Sequence, residues 1–397
     1  MNNKLKELDF GLNSLVIFRG ILKEPVIDAL SQLLAAESDD TLNQIRCYSK
    51  FVYELYKKSE NLSKYMLSAV LENENSYIIR YAEREPVDAL IEECAQRELE
   101  VLQKIAELTS DEVAENISYD GFLPKWKNKP IDFKAEYKRR IDNIGSCGYG
   151  LYSKYSMFII KDSKVKPVRY PDETRLCDLI GYQRERQAVI DNTLALIEGK
   201  PAQNVLLCGD AGTGKSSTVK AVVNEFADKG LRLIEITKEQ LRDIPHIIDS
   251  ISKNPLKFIL FIDDLSFSSD DDCFGALKAT LEGSVSARAD NIAIYATSNR
   301  RHLVRESFSD RDGDDIHRND TIQQLISLSA RFGLTVTFTK PNQNSYLEIA
   351  RGIAEKYGID TDDKQFAVKA EAFALAGSGR SARTAKQFVF SLINKGI

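Results

Sequence analysis

Histidine and cysteine are scarce in this sequence. It contains three histidines and six cysteines among 397 residues, and no two cysteines have the Cys-x-x-Cys spacing. Zinc sites and disulfide frameworks need clusters of such residues. We therefore expect neither kind of site, and we interpret the cysteines as buried free thiols in a reducing cytoplasm.

The sequence also lacks long apolar runs and a strong excess of one charge. No apolar stretch reaches the roughly 18 residues that a membrane-spanning helix requires. Residues 1–20 contain only a short apolar run, so no signal peptide is expected. The formal net charge of −5 does not favour nucleic acid or an anionic membrane as a partner of the whole chain. We expect a cytoplasmic protein without a membrane span.

A chain of this length predicts two or three domains. Residues 1 to about 120 indicate helices, because apolar residues recur three and four positions apart in 25–36 and 86–108. Residues 121–170 differ, since they carry twelve Lys or Arg against four Asp or Glu, with aromatic residues between them. The two prolines of residues 165–174 mark a candidate linker.

From residue 175 onward, short β-rich runs alternate with helical segments. The runs occupy residues 203–208, 231–237, 257–262, 291–297 and 334–338. Strands that alternate with helices are typical of a parallel sheet covered on both faces. Residues 343–397 indicate helices only. The sequence therefore predicts an α/β domain with a five-stranded parallel sheet, followed by a helical subdomain.

The loop after the first β-rich run carries a nucleotide-binding motif. Its sequence, "GDAGTGKSS" (209–217), matches the phosphate-loop pattern GxxxxGK[ST] between a strand and a helix. Glycines let successive backbone N–H groups point at phosphate oxygens, and the helix offers its positive end. Lys215 is expected to reach the β- and γ-phosphates, and the Ser216 hydroxyl to bind Mg²⁺. The residues expected to hold ATP here are Gly209, Ala211, Gly212, Thr213, Gly214, Lys215, Ser216 and Ser217.

The β-rich run "KFILFI" is followed by two adjacent carboxylates, Asp263 and Asp264. With a phosphate loop in the same domain, Asp263 is placed to hold Mg²⁺, directly or through water. Asp264 is placed to orient or deprotonate the attacking water, although it could instead only cap the following loop. Most P-loop ATPases of this kind carry Glu at the second position, and Asp is one methylene shorter. A misplacement of about 1 Å can cost about a hundredfold in rate. Slow hydrolysis is therefore an open alternative.

Together these motifs resemble those of AAA+ ATPases over about residues 175–397. The resemblance implies that Ile180 and Gly181, in "DLIGYQRERQAV", lie against the adenine base. It also implies that Asn299, in "IYATSNRRHLV", is the sensor 1 residue that positions water near the γ-phosphate. Asn before a basic pair is also common in turns, so a role of Asn299 as a turn residue only stays open.

The same resemblance gives roles to three arginines. Arg331, in "SLSARFGLTVTF", matches the arginine finger, which reaches the γ-phosphate of a neighbouring subunit; alternatively it could pair with a local carboxylate. Arg383, in "GRSARTAKQ", is the best match to sensor 2, and Arg380 could fill that role instead. The resemblance thus implies ATP and Mg²⁺ as cofactors and an ATP-dependent homo-oligomer.

A narrower resemblance rests on "NVLLCGDAGTGKSS", "FILFIDDLSF", "IYATSNRRHLV" and "SARFGLTVTF". These segments are similar to an uncharacterised bacterial AAA+ family, the domain-of-unknown-function family eight-one-five. That resemblance implies a fold and a nucleotide but no client. The expected organisation is a mostly helical N-terminal domain of unknown role (1–170), an AAA+ P-loop NTPase α/β domain (171–340) and a helical lid (341–397).

The favoured interpretation is an ATPase that remodels or loads a partner macromolecule, a protein client or, second, nucleic acid. Two alternatives remain: a binding module whose assembly ATP controls with slow hydrolysis, and a nucleic-acid loader that uses residues 121–170. Residues 238–255 lack the aromatic residue and glycine of a protein-threading pore loop, which disfavours threading. Residues 307–320 have closely spaced acids but not the glycine of an EF-hand, so we interpret them as a solvated loop.

Overall fold

The structure is a computed structural model. It describes residues 3–37, 39–265, 272–282, 289–299, 330–361, 364–377 and 379–394. The chain divides into two compact units, Met1–Lys154 and Tyr155–Ile397. The boundaries expected at residues 170 and 340 are not tested by this division and stay predictions. The acidic loop of 307–320 lies outside the described residues.

The first unit is built from helices around an apolar core. The helices are α1 (Asn3–Asn13), α2 (Pro25–Leu34), α3 (Thr41–Tyr56), α4 (Leu62–Glu72), α5 (Ser76–Ala82), α6 (Ala89–Ala106), α7 (Ser110–Ala114), α8 (Phe133–Asp142), α9 (Ile144–Cys147) and α10 (Leu151–Lys154), with a 3-10 helix at Arg19–Lys23. The helices predicted in 25–36 and 86–108 are confirmed as α2 and α6.

A buried carboxylate ties two segments of this unit together. Glu98 of α6 is 7% exposed. Its two oxygens accept hydrogen bonds from the backbone N–H groups of Val16, Ile17 and Phe18 at 2.7, 3.1 and 2.9 Å. A buried carboxylate is costly without such donors. Glu98 therefore has a structural explanation, since it satisfies the turn that follows α1.

The second unit is an α/β domain with a helical subdomain at its end. Its strands are β1 (Met157–Lys161), β2 (Lys164–Pro167), β3 (Val205–Gly209), β4 (Leu231–Glu235), β5 (Lys257–Ile262), β6 (Ile292–Ser298) and β7 (Leu334–Phe338). Its helices are α11 (Gln183–Ile197), α12 (Lys215–Phe226), α13 (Ile244–Ile251), α14 (Asp272–Glu282), α15 (Gln343–Lys356), α16 (Lys364–Ala376) and α17 (Ala382–Ile393), with 3-10 helices at Leu176–Asp178, Ala227–Lys229 and Lys238–Asp243. The five predicted strands are confirmed as β3 to β7.

The seven strands form one sheet in the order β2-β1-β4-β5-β6-β3-β7. All described pairings are parallel except that of β1 with β2. The hairpin of β1 and β2 extends the predicted five-stranded sheet. Residues 165–167, which we assigned to a linker, therefore belong to a strand. Pro167 is compatible with that position because an edge strand can lose a backbone donor.

The sheet order brings the predicted site residues to one edge. The central strands β5, β6 and β3 are buried on both faces, which explains their continuous apolar sequences. Because these neighbours run parallel, the phosphate loop, the paired aspartates and the end of β6 all meet at the carboxyl edge. The helices α15, α16 and α17 pack around a separate apolar cluster, and they confirm the helices predicted for residues 343–397.

The cysteine expectation holds only in part. The five described cysteines are free, but only Cys208 is buried; Cys177 is exposed, and Cys47, Cys94 and Cys147 are partly buried. The interpretation as buried thiols is therefore wrong for four of them.

Among the described residues, every helix is too short or too polar to cross a bilayer.

Candidate functional site

The phosphate loop connects β3 to α12 through glycines in left-handed conformations. The φ angles of Gly209, Gly212 and Gly214 are +131°, +76° and +93°. A Cβ atom on Gly209 would lie 2.0 Å from the carbonyl oxygen of Phe338, so a larger residue would force the backbone apart. Lys215 is the first residue of α12. The loop therefore ends at a helix N-terminus, where backbone N–H groups can bind an anion.

Lys215 lies at the centre of the site and is only 5% exposed. Its Nζ donates hydrogen bonds to the carbonyl oxygens of Gly209 (3.0 Å) and Asp210 (2.8 Å) and to Oδ1 of Asn299 (3.0 Å). Burial lowers the pKa of Lys215 below its ordinary value, while the nearby carboxylates, Asp210 first, act in the opposite direction. A bound phosphate would give this desolvated ammonium a full negative charge as its partner.

A hydroxyl and a carboxylate meet beside the loop. Ser216 Oγ donates to Oδ1 of Asp263 at 2.6 Å, across the gap between α12 and β5. Among the described residues, no group of three or more His, Cys, Asp or Glu could hold a metal. Mg²⁺ needs only one or two protein oxygens when phosphates supply the others. The oxygen pair of Ser216 and Asp263 therefore fits Mg²⁺ bound together with a nucleotide.

The second aspartate is held by the end of β6. Asn299 Nδ2 donates to Oδ1 of Asp264 at 2.7 Å. Asp264 has a φ of +52°, a left-handed conformation that Asp adopts more readily than most residues. Asn299 thus contacts Lys215 with its oxygen and Asp264 with its nitrogen. The three side chains form one hydrogen-bonded row.

These groups line a cavity of about 1180 Å³. Its lining includes residues 211–218, Asp263, Asp264 and Asn299 on one side. Apolar and aromatic side chains form another part of the lining: Leu179, Ile180, Tyr182, Ile349, Ile353 and Tyr357. Such a wall suits a planar base. The predicted Ile180 is therefore at the cavity.

Gly181 does not line the cavity, but it allows the chain to pass close to Ile349. Its φ is +76°, and an added Cβ would lie 2.9 Å from Cγ1 of Ile349. A side chain here would push the segment away from the lid helix α15. Gly209 likewise shapes the loop from behind and does not line the cavity.

The structure separates the three predicted arginines. Arg383 lines the cavity, and its backbone N donates to the carbonyl oxygen of Gly212 at 3.1 Å, which places the start of α17 on the phosphate loop. Arg380 is not brought to the cavity, because its guanidinium makes a two-pronged ion pair with Glu371, from Nε to Oε1 at 3.1 Å and from Nη2 to Oε2 at 2.8 Å. Arg331 is partly buried just before β7 and does not line the cavity either.

Sequence reasoning missed several residues that shape the site. Thr297 and Arg186 line the cavity. Asp210 Oδ2 accepts from the backbone N of Lys340 at 2.8 Å, which links the phosphate loop to the segment before α15. Thr297 could have been found from the strand period of two, which gives it the same direction as Asn299. No sequence signal marks Asp210, because it occupies an unrestricted position of the motif.

The family comparison concerns this second unit. The model of the family described as "Protein of unknown function (DUF815)" matches residues 153–396, more than half of the chain. The chain belongs to this family. The narrower of the two predicted resemblances is thereby confirmed. All the predicted site residues of this DUF815 chain lie within the matched region, and no curated protein matches the chain.

Solved structures similar to the DUF815 chain include two variants of RuvB from Thermotoga maritima. They share 14% and 16% sequence identity with it, each with a TM-score of 0.38. Both comparisons cover 56% of this chain and 65% of the RuvB chain, so less than two thirds of RuvB is spanned. The sheet order, the phosphate loop and the C-terminal helices together give the DUF815 chain a P-loop α/β fold with a helical C-terminal subdomain, as the resemblance to AAA+ ATPases predicts.

Proposed function

We propose that this protein is an AAA+ ATPase that binds and hydrolyses ATP with Mg²⁺ at a subunit interface to remodel or load a partner macromolecule. The observation that supports it best is the row of direct contacts from Lys215 through Asn299 to Asp264. A phosphate-binding cation and a carboxylate able to act on water are joined by one amide. A glycine-rich turn with a purely structural lysine would not require such a row.

The side chains have distinct roles in this proposal. Lys215 and the backbone N–H groups of the loop bind the phosphates. Ser216 and Asp263 would hold Mg²⁺, which neutralises phosphate charge when it is bound. Asp264 orients the attacking water and accepts its proton, and Asn299 holds Asp264 in place. Arg383 lines the cavity and Arg380 does not, so we prefer Arg383 over Arg380 as the sensor 2 residue.

Assembly and location complete the proposal. In the AAA+ ATPases that the chain resembles, the arginine finger reaches the γ-phosphate of a neighbouring subunit, so the role of Arg331 requires a homo-oligomer with the nucleotide between subunits. We infer a cytoplasmic protein whose partner is a protein client or, second, a nucleic acid.

A second candidate function is an ATP-controlled binding module with slow hydrolysis. The observation that favours it is again at Asp264, whose Oδ1 is already taken by Asn299 at 2.7 Å. A carboxylate that is both short and hydrogen-bonded to an amide has less freedom to reach a water. Under this alternative ATP sets the assembly state and hydrolysis only resets it.

The basic residues bear on the nucleic-acid alternative. Five of the twelve in 121–170 are in ion pairs within the first unit: Lys125–Asp111, Lys127–Glu60, Lys134–Glu100, Arg139–Glu136 and Lys154–Glu72. Their charge is thus partly cancelled by local carboxylates. This part of the stretch does not need an anionic partner to explain it.

The β1–β2 hairpin of the second unit is different. Lys161 lies opposite Lys164, and Lys166 lies opposite Ile159, all on the exposed face. None of the three lysines has an ion pair within the described part of the chain. Lysines also protect sheet edges from pairing with other strands, which is the alternative explanation. If nucleic acid is bound, this hairpin is the surface we favour.

ATP binding by the parent and a Lys215→Ala variant tests the main proposal. Removing the ammonium from a buried phosphate site should abolish tight binding of ATP–Mg²⁺. Lys200→Ala is the matched control, since Lys200 is paired with Glu198 on an exposed turn. Parent-like ATP–Mg²⁺ binding by the Lys215 variant in equilibrium titrations would refute the phosphate-loop assignment.

A further inference from the structure

One hydroxyl at the end of β6 contacts both aspartates. Thr297 is 2% exposed, and its Oγ1 donates to Oδ1 of Asp263 at 2.5 Å. The same Oγ1 accepts a hydrogen bond from the backbone N of Asp264 at 2.9 Å. The hydroxyl proton and a lone pair are therefore both used, one for each acidic residue.

Thr297 makes these contacts just beyond the point where the pairing of β5 with β6 ends. The last paired residues of β5 and β6 are Ile262 and Ala296. Beyond them, the backbone N of Leu265 donates to the carbonyl oxygen of Thr297 at 2.7 Å. Residues 263–265 are thus all hydrogen-bonded to Thr297, at the point where Asp264 adopts a left-handed φ and the chain changes direction. A left-handed residue persists only where its surroundings impose it.

The same contacts orient the carboxylate of Asp263. Its Oδ1 accepts from Ser216 Oγ, Thr297 Oγ1 and the backbone N of Asp264. These donors leave Oδ2 as the oxygen without a protein donor among the described residues. Oδ2 is therefore the atom best placed to face a cation or its water. Without Thr297, the carboxylate would lose one of the two side chains that hold its rotation.

We propose that Thr297 is the positioning residue that aims both aspartates of this site. It fixes the rotation of the Asp263 carboxylate for Mg²⁺ and the backbone of Asp264 for the attacking water. The inference rests on the proposed ATPase function. It adds a residue whose hydroxyl touches the two acids and is not required to touch the nucleotide.

The test compares Thr297→Val, which keeps the shape but removes the hydroxyl, with Thr297→Ser, which keeps the hydroxyl. The first readout is the affinity for a fluorescent ATP analogue with and without Mg²⁺. The Val variant should bind the analogue like the parent without Mg²⁺ and lose several-fold of the enhancement that Mg²⁺ gives. The Ser variant should retain that enhancement, because its hydroxyl can make both contacts.

The second readout is turnover. The Val variant should lower kcat by about tenfold to a hundredfold with little change in KM, since displacement of a catalytic group by about 1 Å has effects of this size. The Ser variant should stay within a few-fold of the parent. Parent-like Mg²⁺ enhancement and kcat in the Val variant, or equal losses in the Val and Ser variants, would overturn the role of the hydroxyl.

Two further comparisons keep the test decisive. If the Val variant fails to fold, Thr297→Cys replaces it, because a thiol is a weak donor of similar size; parent-like behaviour of that variant would overturn the inference. If the parent does not turn over ATP, the proposed hydrolysis fails. The Mg²⁺ enhancement of binding then still decides the role of Thr297.

Discussion

Asn299 donates a hydrogen bond to Asp264 over 2.7 Å while its oxygen accepts one from Lys215 over 3.0 Å. A phosphate that attracts the Lys215 ammonium would compete with the Asn299 oxygen for it. The amide, and the carboxylate that it holds, can then respond to an occupied phosphate site. In the proposed ATPase, this relationship would make the action of Asp264 as a base depend on bound phosphate, and it connects the rapid and the slow versions of that proposal.

We expect Asp264→Asn to bind ATP like the parent and to hydrolyse it at least about a hundredfold more slowly, as for removal of a general base. Asn is well suited as a probe, because it tolerates the left-handed φ of this position. Asp264→Glu should keep or raise turnover, since the longer side chain reaches further. The measurements are steady-state phosphate release and analogue affinity. Near-normal hydrolysis by the Asn variant would show that Asp264 is only structural.

The lowered pKa of Lys215 predicts a pH dependence of binding. Only the protonated ammonium attracts phosphate, and burial lowers its pKa in the free protein. A bound phosphate should raise that pKa again, so binding takes up protons as the pH approaches it. ATP affinity should therefore fall with rising pH, beginning below the ordinary lysine value of about 10.4.

Calorimetric titration at alkaline pH in two buffers with different ionisation enthalpies measures this proton uptake. Lys215→Arg is the control, because a guanidinium stays charged over the whole range. Its affinity should be lower but nearly independent of pH. The same pH dependence in both proteins would mean that a different group titrates.

Sequence and structure agree best where the chemistry restricts the backbone. The phosphate loop could be predicted because glycine is required at left-handed positions such as Gly212, and Asp263 because a buried strand ends on it. The strand period of two gives Thr297 the same direction as Asn299, but its hydrogen bonds to residues about 30 positions earlier could not be predicted. The choice between Arg380 and Arg383 could not be made either, because it depends on the position of Glu371 one helix earlier.

The fold shows the same limit. Runs that are buried on both faces, such as β5, could be predicted from their continuous apolar residues. The edge strand β2 has the sequence "KVKP", in which lysine and proline suggest a loop as readily as a strand. These residues form a strand because they pair with β1, and the local sequence of β2 alone does not predict that pairing.

The exposed lysines of the β1–β2 hairpin predict at most weak, salt-sensitive binding of nucleic acid. Each neutralised phosphate releases counterion, so the affinity should fall steeply between about 50 and 200 mM salt. Replacing Lys164 and Lys166 with Ala should reduce the slope of log affinity against log salt by about two for duplex DNA. Replacing the ion-paired Lys125 and Lys127 is the matched control and should leave the slope unchanged. Tight binding that ignores salt would contradict this electrostatic account.

Arg331 predicts that hydrolysis depends on assembly. It precedes β7 and does not line the cavity of its own chain. That position is compatible with a role at the site of a neighbouring subunit. An arginine supplied in trans can contribute about 10³ to 10⁵ in rate, so an isolated monomer should hydrolyse ATP poorly. ATP should also favour oligomers, because the γ-phosphate completes the interface.

Arg331→Ala should therefore bind ATP nearly normally and hydrolyse it about a thousandfold more slowly. Arg351→Ala, which removes an exposed arginine from α15, should remain active. Mixing the Arg331 variant with Lys215→Ala should restore part of the activity, because some interfaces then combine an intact phosphate loop with an intact Arg331. Sedimentation with ATP–Mg²⁺ and this mixing assay together test whether Arg331 acts on a neighbouring subunit. A monomer that is fully active at every concentration, or absence of rescue despite subunit exchange, would limit Arg331 to a structural role within its own chain.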